Sequence, residues 1–499
     1  MIYIDPPYNT GKDFVYKDNF KDNLKNYLEI TGQLGEDGQK LSTNSETSGR
    51  YHSDWLNMMY PRLKLARNLL TDDGVIFISI DDNEIENLIK ICSEIFGEEN
   101  IETMVWNKEA EGSSGTLKAT FRFRRIHEYI VVCYKNLENT HFSKINEALQ
   151  GKENELQTAN LAVNESNENK NHENYFEIIN PNGISFKRQW KWSKEKINEL
   201  ISQDLIYWGS DGNRQPRLII PTDERRTTFL LSILNYGGTT IGRKNFEELM
   251  DKIEFSYPKP IILLKKIIKT CMSIENKEDT ILDFFSGSAT TAHAVMELNA
   301  EDGGNRKYIM VQLPEPCDEK SEAYKAGYRN ICEIGKERIR RAGEKIKADE
   351  SLPLENREKL DIGFKVFKLD SSNIKEWDPE TDDLKQTLLD SIDNIKSDRN
   401  SLDVLYEIIL KYGLELTVPI EENEHFYSIG GGTLLINLDK KIDMEVIDSI
   451  CEEYRNLLEI DEDFKTTVVL RDSAFKNDVD KTNAMKKLEQ VGIKEVRSI

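Results

Sequence analysis

Two hydrophobic rhythms alternate along the first part of this 499-residue chain. Short continuous apolar runs predict buried strands, and apolar residues returning every three or four positions predict helices packed on them. Ile2-Tyr3-Ile4 is the first run, and it leads straight into Asp5-Pro6-Pro7-Tyr8 as the carboxyl end of a strand. Polar loop material follows to about residue 50. Trp55, Met58, Met59, Leu63, Ala66, Leu69 and Leu70 then recur at helical spacing, with Pro61 predicting a kink or a break. The run from Val75 to Ile80 predicts a central strand. Asp81 and Asp82 then cap a helix whose stripe is Ile85, Leu88, Ile89, Cys92, Ile95 and Phe96. Further strands are expected over residues 102–106, 128–134, 280–285 and 308–313. Strand and helix in alternation predict a doubly wound α/β domain.

Elsewhere the rhythm weakens. Residues 150–173, rich in Asn and Glu, show no period and read as a flexible insertion. Residues 184–245 mix aromatics, Arg and turn residues without a helical repeat, whereas residues 323–347 read as one long amphipathic helix. From about residue 360 the chain is acidic and reads as a separate domain. Gly430-Gly431-Gly432 could be a phosphate loop, but the flanking Phe426, Tyr427, Leu434 and Ile436 favour a hairpin turn.

Composition narrows the class. Hydrophobic residues make up 38% and charged residues 31%, and no run is apolar enough to cross a membrane, so a cytoplasmic protein is expected. The six cysteines form no Cys-x-x-Cys pair, which points to reduced thiols and to neither a zinc cluster nor a disulfide framework. The net charge of −22 speaks against a nucleic-acid partner, but residues 101–260 carry 22 basic and 22 acidic side chains. Arg122, Arg124 and Arg125 cluster there, as do Lys187, Arg188 and Lys191, and a local basic face suffices for binding DNA.

Two segments carry candidate chemistry. Asp5-Pro6-Pro7-Tyr8 lies at a strand's carboxyl end, where open α/β sheets place ligands. A stiff turn there can hold the Asp5 carboxylate and the Pro6 carbonyl around one aromatic amine. Hydrogen bonds from that amine would free its lone pair, and Tyr8 would stack on a base flipped out of a duplex. The plain alternative is a strand-ending turn without chemistry. The second segment runs from Asp283 through Phe285, Gly287, Ser288 and Ala289 to Thr290 and Thr291, between an apolar strand and a helical segment. Strand, tight turn and helix N-terminus suit a small anionic group. No Lys follows as in a nucleotide phosphate loop.

In this order the two segments resemble the amino-methyltransferases of DNA, in their permuted beta class. Residues 5–11 (DPPYNTG), 18–20 (DNF), 74–84 (GVIFISIDDNE), 255–260 (FSYPKP), 363–377 (GFKVFKLDSSNIKEW) and 471–484 (RDSAFKNDVDKTNA) are similar to the modification (Mod) subunits of type III restriction systems. The resemblance implies a permuted Rossmann-like S-adenosylmethionine-dependent methyltransferase sheet, an inserted target-recognition region and an α+β C-terminal domain. The implied divisions are a catalytic half over 1–138, target recognition over 139–238, a cofactor half over 239–350 and the C-terminal domain over 351–499. Asp5, Pro6, Pro7 and Tyr8 would be catalytic. Lys259, Asp283, Phe285, Gly287, Ser288, Ala289, Thr290, Gln312 and Glu315 would hold the cofactor, Asp283 through its amino group and Gln312 or Glu315 through the ribose. Arg122, Arg124, Arg125, Arg188, Trp190, Arg225 and Arg226 would meet DNA, and no metal is needed.

The implied activity is methyl transfer to the 6-amino group of adenine in double-stranded DNA. The implied assembly is a Mod homodimer with a restriction (Res) subunit. Cytosine 4-amino transfer is one alternative, although those enzymes more often carry Ser at the position of Asp5. The relatives carry a strand–helix segment ahead of the Asp-Pro-Pro-Tyr motif, whereas Met1 lies four residues before Asp5 here. A truncated recognition or assembly subunit with impaired catalysis is the other alternative.

Overall fold

The computed structural model describes residues 1–10, 51–109, 123, 125–146, 156, 158–220, 227–251, 253, 255, 258–271, 277–375 and 394–499. They form two compact units, Met1–Gly363 and Phe364–Ile499.

The first unit is built on a seven-stranded sheet. Its first four strands in the chain are β1 (Ile2–Ile4), β2 (Val75–Ile80), β3 (Ile101–Asn107) and β4 (His127–Tyr134). Across the sheet the order is Ile233–Leu234, β3, β4, β2, β1, Thr280–Asp283, Lys307–Met310. Only β4 runs antiparallel to its neighbours. Burial on both faces explains the continuous apolar runs. Tyr3, Val75, Phe77, Ile130 and Val132 pack one way, against the helices Ile261–Cys271 and Thr290–Asp302. Ile2, Ile4, Ile76, Ile78 and Val131 pack the other way, against Tyr51–Leu69 and Ile85–Phe96. The expected α/β class is therefore the observed one.

Several local expectations shift. The helix Tyr51–Leu69 continues through Pro61, because Trp55 and Met59 before it and Leu63 and Ala66 after it are all buried on the same sheet face. The next helix begins at Ile85, and neither Asp81 nor Asp82 caps it; the Asp81 carboxylate instead accepts from the Asn83 N–H at 2.9 Å. The single helix over 323–347 is two, Glu322–Lys325 and Ile331–Ala348, parted at Gly327, whose φ of 103° a helix excludes. Two helices went unread in the 184–245 stretch, Lys194–Ser202 and Thr239–Leu249. The first buries only Ile197 and Leu200, too few positions to announce a period.

The segment expected to be a patternless insertion contains the strand Thr158–Asn160 and the fully buried Leu161. It pairs with Arg217–Ile219, which pairs with Ile206–Tyr207, and a hairpin of Tyr175–Ile179 and Ser185–Gln189 adjoins it in sequence. Leu161, Ile178, Trp190, Ile197 and Leu200 make a small core of their own.

In the second unit the strand order is Ile420–Glu422, Tyr427–Ile429, Leu434–Asn437, Thr467–Leu470, Glu495–Ser498. The last three are parallel, linked by the helices Met444–Ile460 and Asp478–Gln490. Gly430, Gly431 and Gly432 turn the antiparallel pair, all at positive φ, as a hairpin requires. No described helix is long and apolar enough to cross a membrane.

Candidate active site

Because β1 lies between β2 and Thr280–Asp283 and is parallel to both, the two segments singled out for chemistry emerge side by side at one edge of the sheet. That edge is the carboxyl edge, where backbone dipoles and loops converge.

The Asp5–Tyr8 turn is held from behind. Trp55, fully buried, donates its indole N–H to the Pro7 carbonyl at 2.7 Å. Asn9 takes a left-handed φ of 57° and donates to Glu84, a carboxylate with no solvent exposure. Glu84 also accepts from Asn87 at 2.8 Å and lies 2.7 Å from His52 Nδ1. A strained turn persists only where its surroundings hold it, and Trp55 with Glu84 does that here.

In front of the turn lies a compact charge cluster. Lys259 Nζ donates to Asp5 Oδ1 at 3.0 Å, to the Tyr8 hydroxyl at 2.6 Å and to Glu128 Oε2 at 3.2 Å. The Tyr8 hydroxyl is itself 2.8 Å from Asp5 Oδ1 and 3.1 Å from Glu128 Oε2. The ammonium lies over the Tyr8 and Trp106 rings at 5.0 and 5.3 Å. Burial pushes the Asp5 carboxyl up, with Lys259 opposing. Burial acts the same way on Glu128, but Lys259 and Lys108 outweigh it and hold that carboxyl low. For Lys259 burial favours the neutral amine, yet Asp5 and Glu128 together keep it firmly protonated.

The second loop is organised by Asp283. Its carboxylate accepts from the Phe285 N–H at 3.1 Å and from the Thr291 hydroxyl at 2.6 Å, and burial pushes its pKa up to about 7. Gly287 and Ala289 both take left-handed φ, 49° and 60°. The helix Thr290–Asp302 starts there, with Ser288 and Thr290 buried at its N-terminus. Beneath them lies Arg338, entirely shielded from solvent, donating to Ser288 Oγ at 2.7 Å and Thr290 Oγ1 at 2.6 Å. Burial lowers its pKa to about 9, which leaves it charged near neutrality. A helix N-terminus over a buried guanidinium suits the carboxylate end of an amino-acid-derived cofactor.

The structure redistributes several expected roles. Lys259, expected with the cofactor residues, stands in the Asp5 cluster, two residues before the helix Ile261–Cys271. Gln312 accepts from the Gly287 N–H at 2.7 Å and so shapes the loop. Glu315 lies where its carbonyl accepts from the Ile331 N–H at 3.0 Å. Tyr8 has its hydroxyl engaged and one cation over its ring. Among the DNA candidates, Arg188 is held by Glu168 at 2.8 Å and by the Val163 carbonyl at 3.2 Å, and Trp190 is buried with its indole N–H on the Phe176 carbonyl. Trp190 belongs to the small core, and Arg188 is tied to the same module at its surface. Arg125 is largely exposed, 3.2 Å from Asp82. Arg122, Arg124, Arg225 and Arg226 lie outside the described residues. Glu128, Trp55, Glu84 and Arg338 were not read from the sequence. A charged residue breaking an apolar strand, as Glu128 does, was the available signal.

A family model described as DNA methylase matches residues 1–342. The chain belongs to the DNA methylase family. The chain is 37% identical over 384 residues to the Type III restriction-modification enzyme StyLTI Mod subunit of Salmonella typhimurium, covering 74% of this chain and 56% of that one. To the EcoP15I Mod subunit of Escherichia coli it is 32% identical over 418 residues, covering 74% and 61%. It is also similar to the Type II methyltransferase M.KpnI of Klebsiella pneumoniae, 28% identical over 370 residues, covering 67% and 80%. The aligned part thus spans little more than half the length of the two Mod subunits. Among solved structures, the M1.HpyAVI–SAM complex is similar at 13% identity and a TM-score of 0.26, covering 68% of this chain and 86% of that chain. So loose a superposition carries no residue positions across.

Proposed function

We propose that this chain transfers a methyl group from S-adenosylmethionine to the 6-amino group of adenine in double-stranded DNA, as the modification part of a type III restriction system. The observation that carries the reading is the Asp5 carboxylate on a braced turn, immediately beside a loop suited to an amino-acid carboxylate. S-adenosylmethionine, when bound, supplies an electrophilic methyl group on a sulfonium. Ser288, Ala289 and Thr290, over Arg338, would receive its carboxylate end, with Asp283, Phe285, Gly287 and Gln312 shaping the loop.

The protein's own contribution is to the amine. An aromatic amine is a poor nucleophile while its lone pair belongs to the ring. Asp5, with the Pro6 carbonyl, accepts hydrogen bonds from it and draws the nitrogen towards tetrahedral geometry. Tyr8, with its hydroxyl tied to Asp5 and Glu128, offers an immobilised edge of the pocket for the flipped base. Trp55 and Glu84 keep the turn from relaxing away. The module over residues 158–219 is the candidate for target recognition, and exposed Arg125 is a candidate phosphate contact. A homodimer, a Res partner and a cytoplasmic setting follow from the same reading.

The deciding experiment is Asp5→Ala, scored by methyl incorporation into DNA, by calorimetry of cofactor binding, and by nucleoside analysis of the product. Loss of transfer with retained binding supports the reading. Undiminished transfer removes Asp5 from the mechanism, and a product methylated at the cytosine 4-amino group replaces the substrate assignment. Absence of cofactor binding by the unaltered chain would favour a recognition or assembly subunit.

A further inference from the structure

Three charged side chains meet at the proposed transfer site, but they face solvent unequally. The Asp5 side chain is 30% exposed, whereas Glu128 and Lys259 are 12% and 7% exposed. The acceptor therefore faces outward, and the other two are packed behind it. Lys259 touches both carboxylates through one ammonium, and the Tyr8 hydroxyl touches both as well. Lys108 pairs with Glu128 at 3.3 Å from the side away from Asp5, so two ammonium groups stand against the two carboxylates, and only Lys259 reaches both.

We propose that Lys259 and Glu128 are positioning residues that set the charge of the acceptor site: Lys259 keeps Asp5 ionised towards an amine turning cationic, and Glu128 shares that ammonium so that Asp5 is not neutralised by it. This rests on the methyl-transfer reading of the site. The physical requirement is specific. Without Lys259, the carboxylates of Asp5 and Glu128 share one phenol and oppose each other's ionisation, so one of them holds a proton to higher pH. Without Glu128, Lys259 pairs with Asp5 alone, and the acceptor is tied to a cation it no longer shares. Removing both leaves Asp5 with neither the cation nor the competing carboxylate beside it.

The groups facing Asp5 come from every neighbouring element. Tyr8 is on its own turn, Tyr3 is on β1, Glu128 is on β4, Lys259 precedes the helix Ile261–Cys271, and Asp283 ends the adjoining strand. Lys108 reaches Glu128 at 3.3 Å from the far side. Among the described residues, Lys259 is the one cation in direct contact with Asp5, which makes it the group to remove.

The test compares Lys259→Met, Glu128→Gln and the double variant with the unaltered chain, in the full-length protein. Lys259→Met should lower methyl transfer at neutral pH by about 100-fold and move the acid limb of the pH profile up by roughly 1 unit or more. Glu128→Gln should move that limb down. The double variant should regain about tenfold over Lys259→Met, a recovery that independent packing defects would not produce. A second series needs no activity. The thermal unfolding deficit of Lys259→Met should widen from about pH 5 to about pH 8, as unfolded carboxylates release protons that the crowded site retains, and that of the double variant should widen less. Additive losses in the double variant, together with a deficit flat in pH, would overturn the proposal. Failure of the unaltered chain to transfer methyl overturns the methyl-transfer reading, while the unfolding series still judges the charges.

Discussion

Asp283 offers a prediction whose size can be worked out. Its carboxyl is 3% exposed and raised from 3.8 to about 7, chiefly by burial, with the Thr291 hydroxyl and the Phe285 N–H recovering part of the cost. Between those two values the unfolded chain has released a proton that the folded chain still holds. The native state binds more protons, so stability falls as pH rises through this window, and the loss is complete above about 7. About three units at 1.36 kcal/mol each give roughly 4 kcal/mol, an upper value. Asp283→Asn keeps an acceptor for the Phe285 N–H and offers an amide towards Thr291, without a charge to bury. Spread over the unit Met1–Gly363, 4 kcal/mol corresponds to about 5 °C in unfolding temperature. The assay is thermal unfolding of both proteins across pH. At about pH 4 the two should unfold together, and by about pH 8 Asp283→Asn should unfold up to 5 °C higher. A gap that does not grow with pH would refute the reasoning. If Asp283 does meet a cofactor amino group, calorimetry should show weaker cofactor binding by the same variant, a stabilisation opposed to function.

Trp55→Phe removes the donor to the Pro7 carbonyl and leaves that buried acceptor unsatisfied, at about 1–3 kcal/mol. Methyl transfer, measured by incorporation into DNA, should fall more than cofactor affinity does. Arg188→Met should destabilise the 158–219 module by about 1–3 kcal/mol through loss of its Glu168 partner, read by hydrogen exchange at Leu161 and Trp190. It should leave the salt dependence of DNA binding unchanged, and a shallower salt slope would return Arg188 to the DNA contacts. Gly432→Ala, at a φ of 89° with a new Cβ against the Leu457 side chain, should destabilise the unit Phe364–Ile499 by about 1–3 kcal/mol, seen in its own unfolding transition.

How much of this was legible in the sequence depends on the range of the forces involved. The runs Ile2–Ile4 and Val75–Ile80 are apolar throughout because both sheet faces are covered, and that alone announces parallel α/β structure. The Asp5 turn and the Asp283 loop were legible because their prolines and glycines impose local backbone geometry. Gly430–Gly432 disclosed its hairpin in the same way. What could not be read was the company these segments keep. Glu128 lies 123 positions from Asp5 and Lys259 lies 254 away, and only the strand order brings both to the same carboxylate. Arg188 and Trp190 read as candidate DNA contacts from charge and aromaticity, and only the structure shows Trp190 buried and Arg188 tied to Glu168. Lys259 looked like a cofactor residue by its place in a motif. Local patterns thus determined the sheet, the turns and the place of Asp5 at a strand's end. Only tertiary structure decided which distant charges surround it, because electrostatic partners are chosen by proximity in space, on which sequence separation has no bearing.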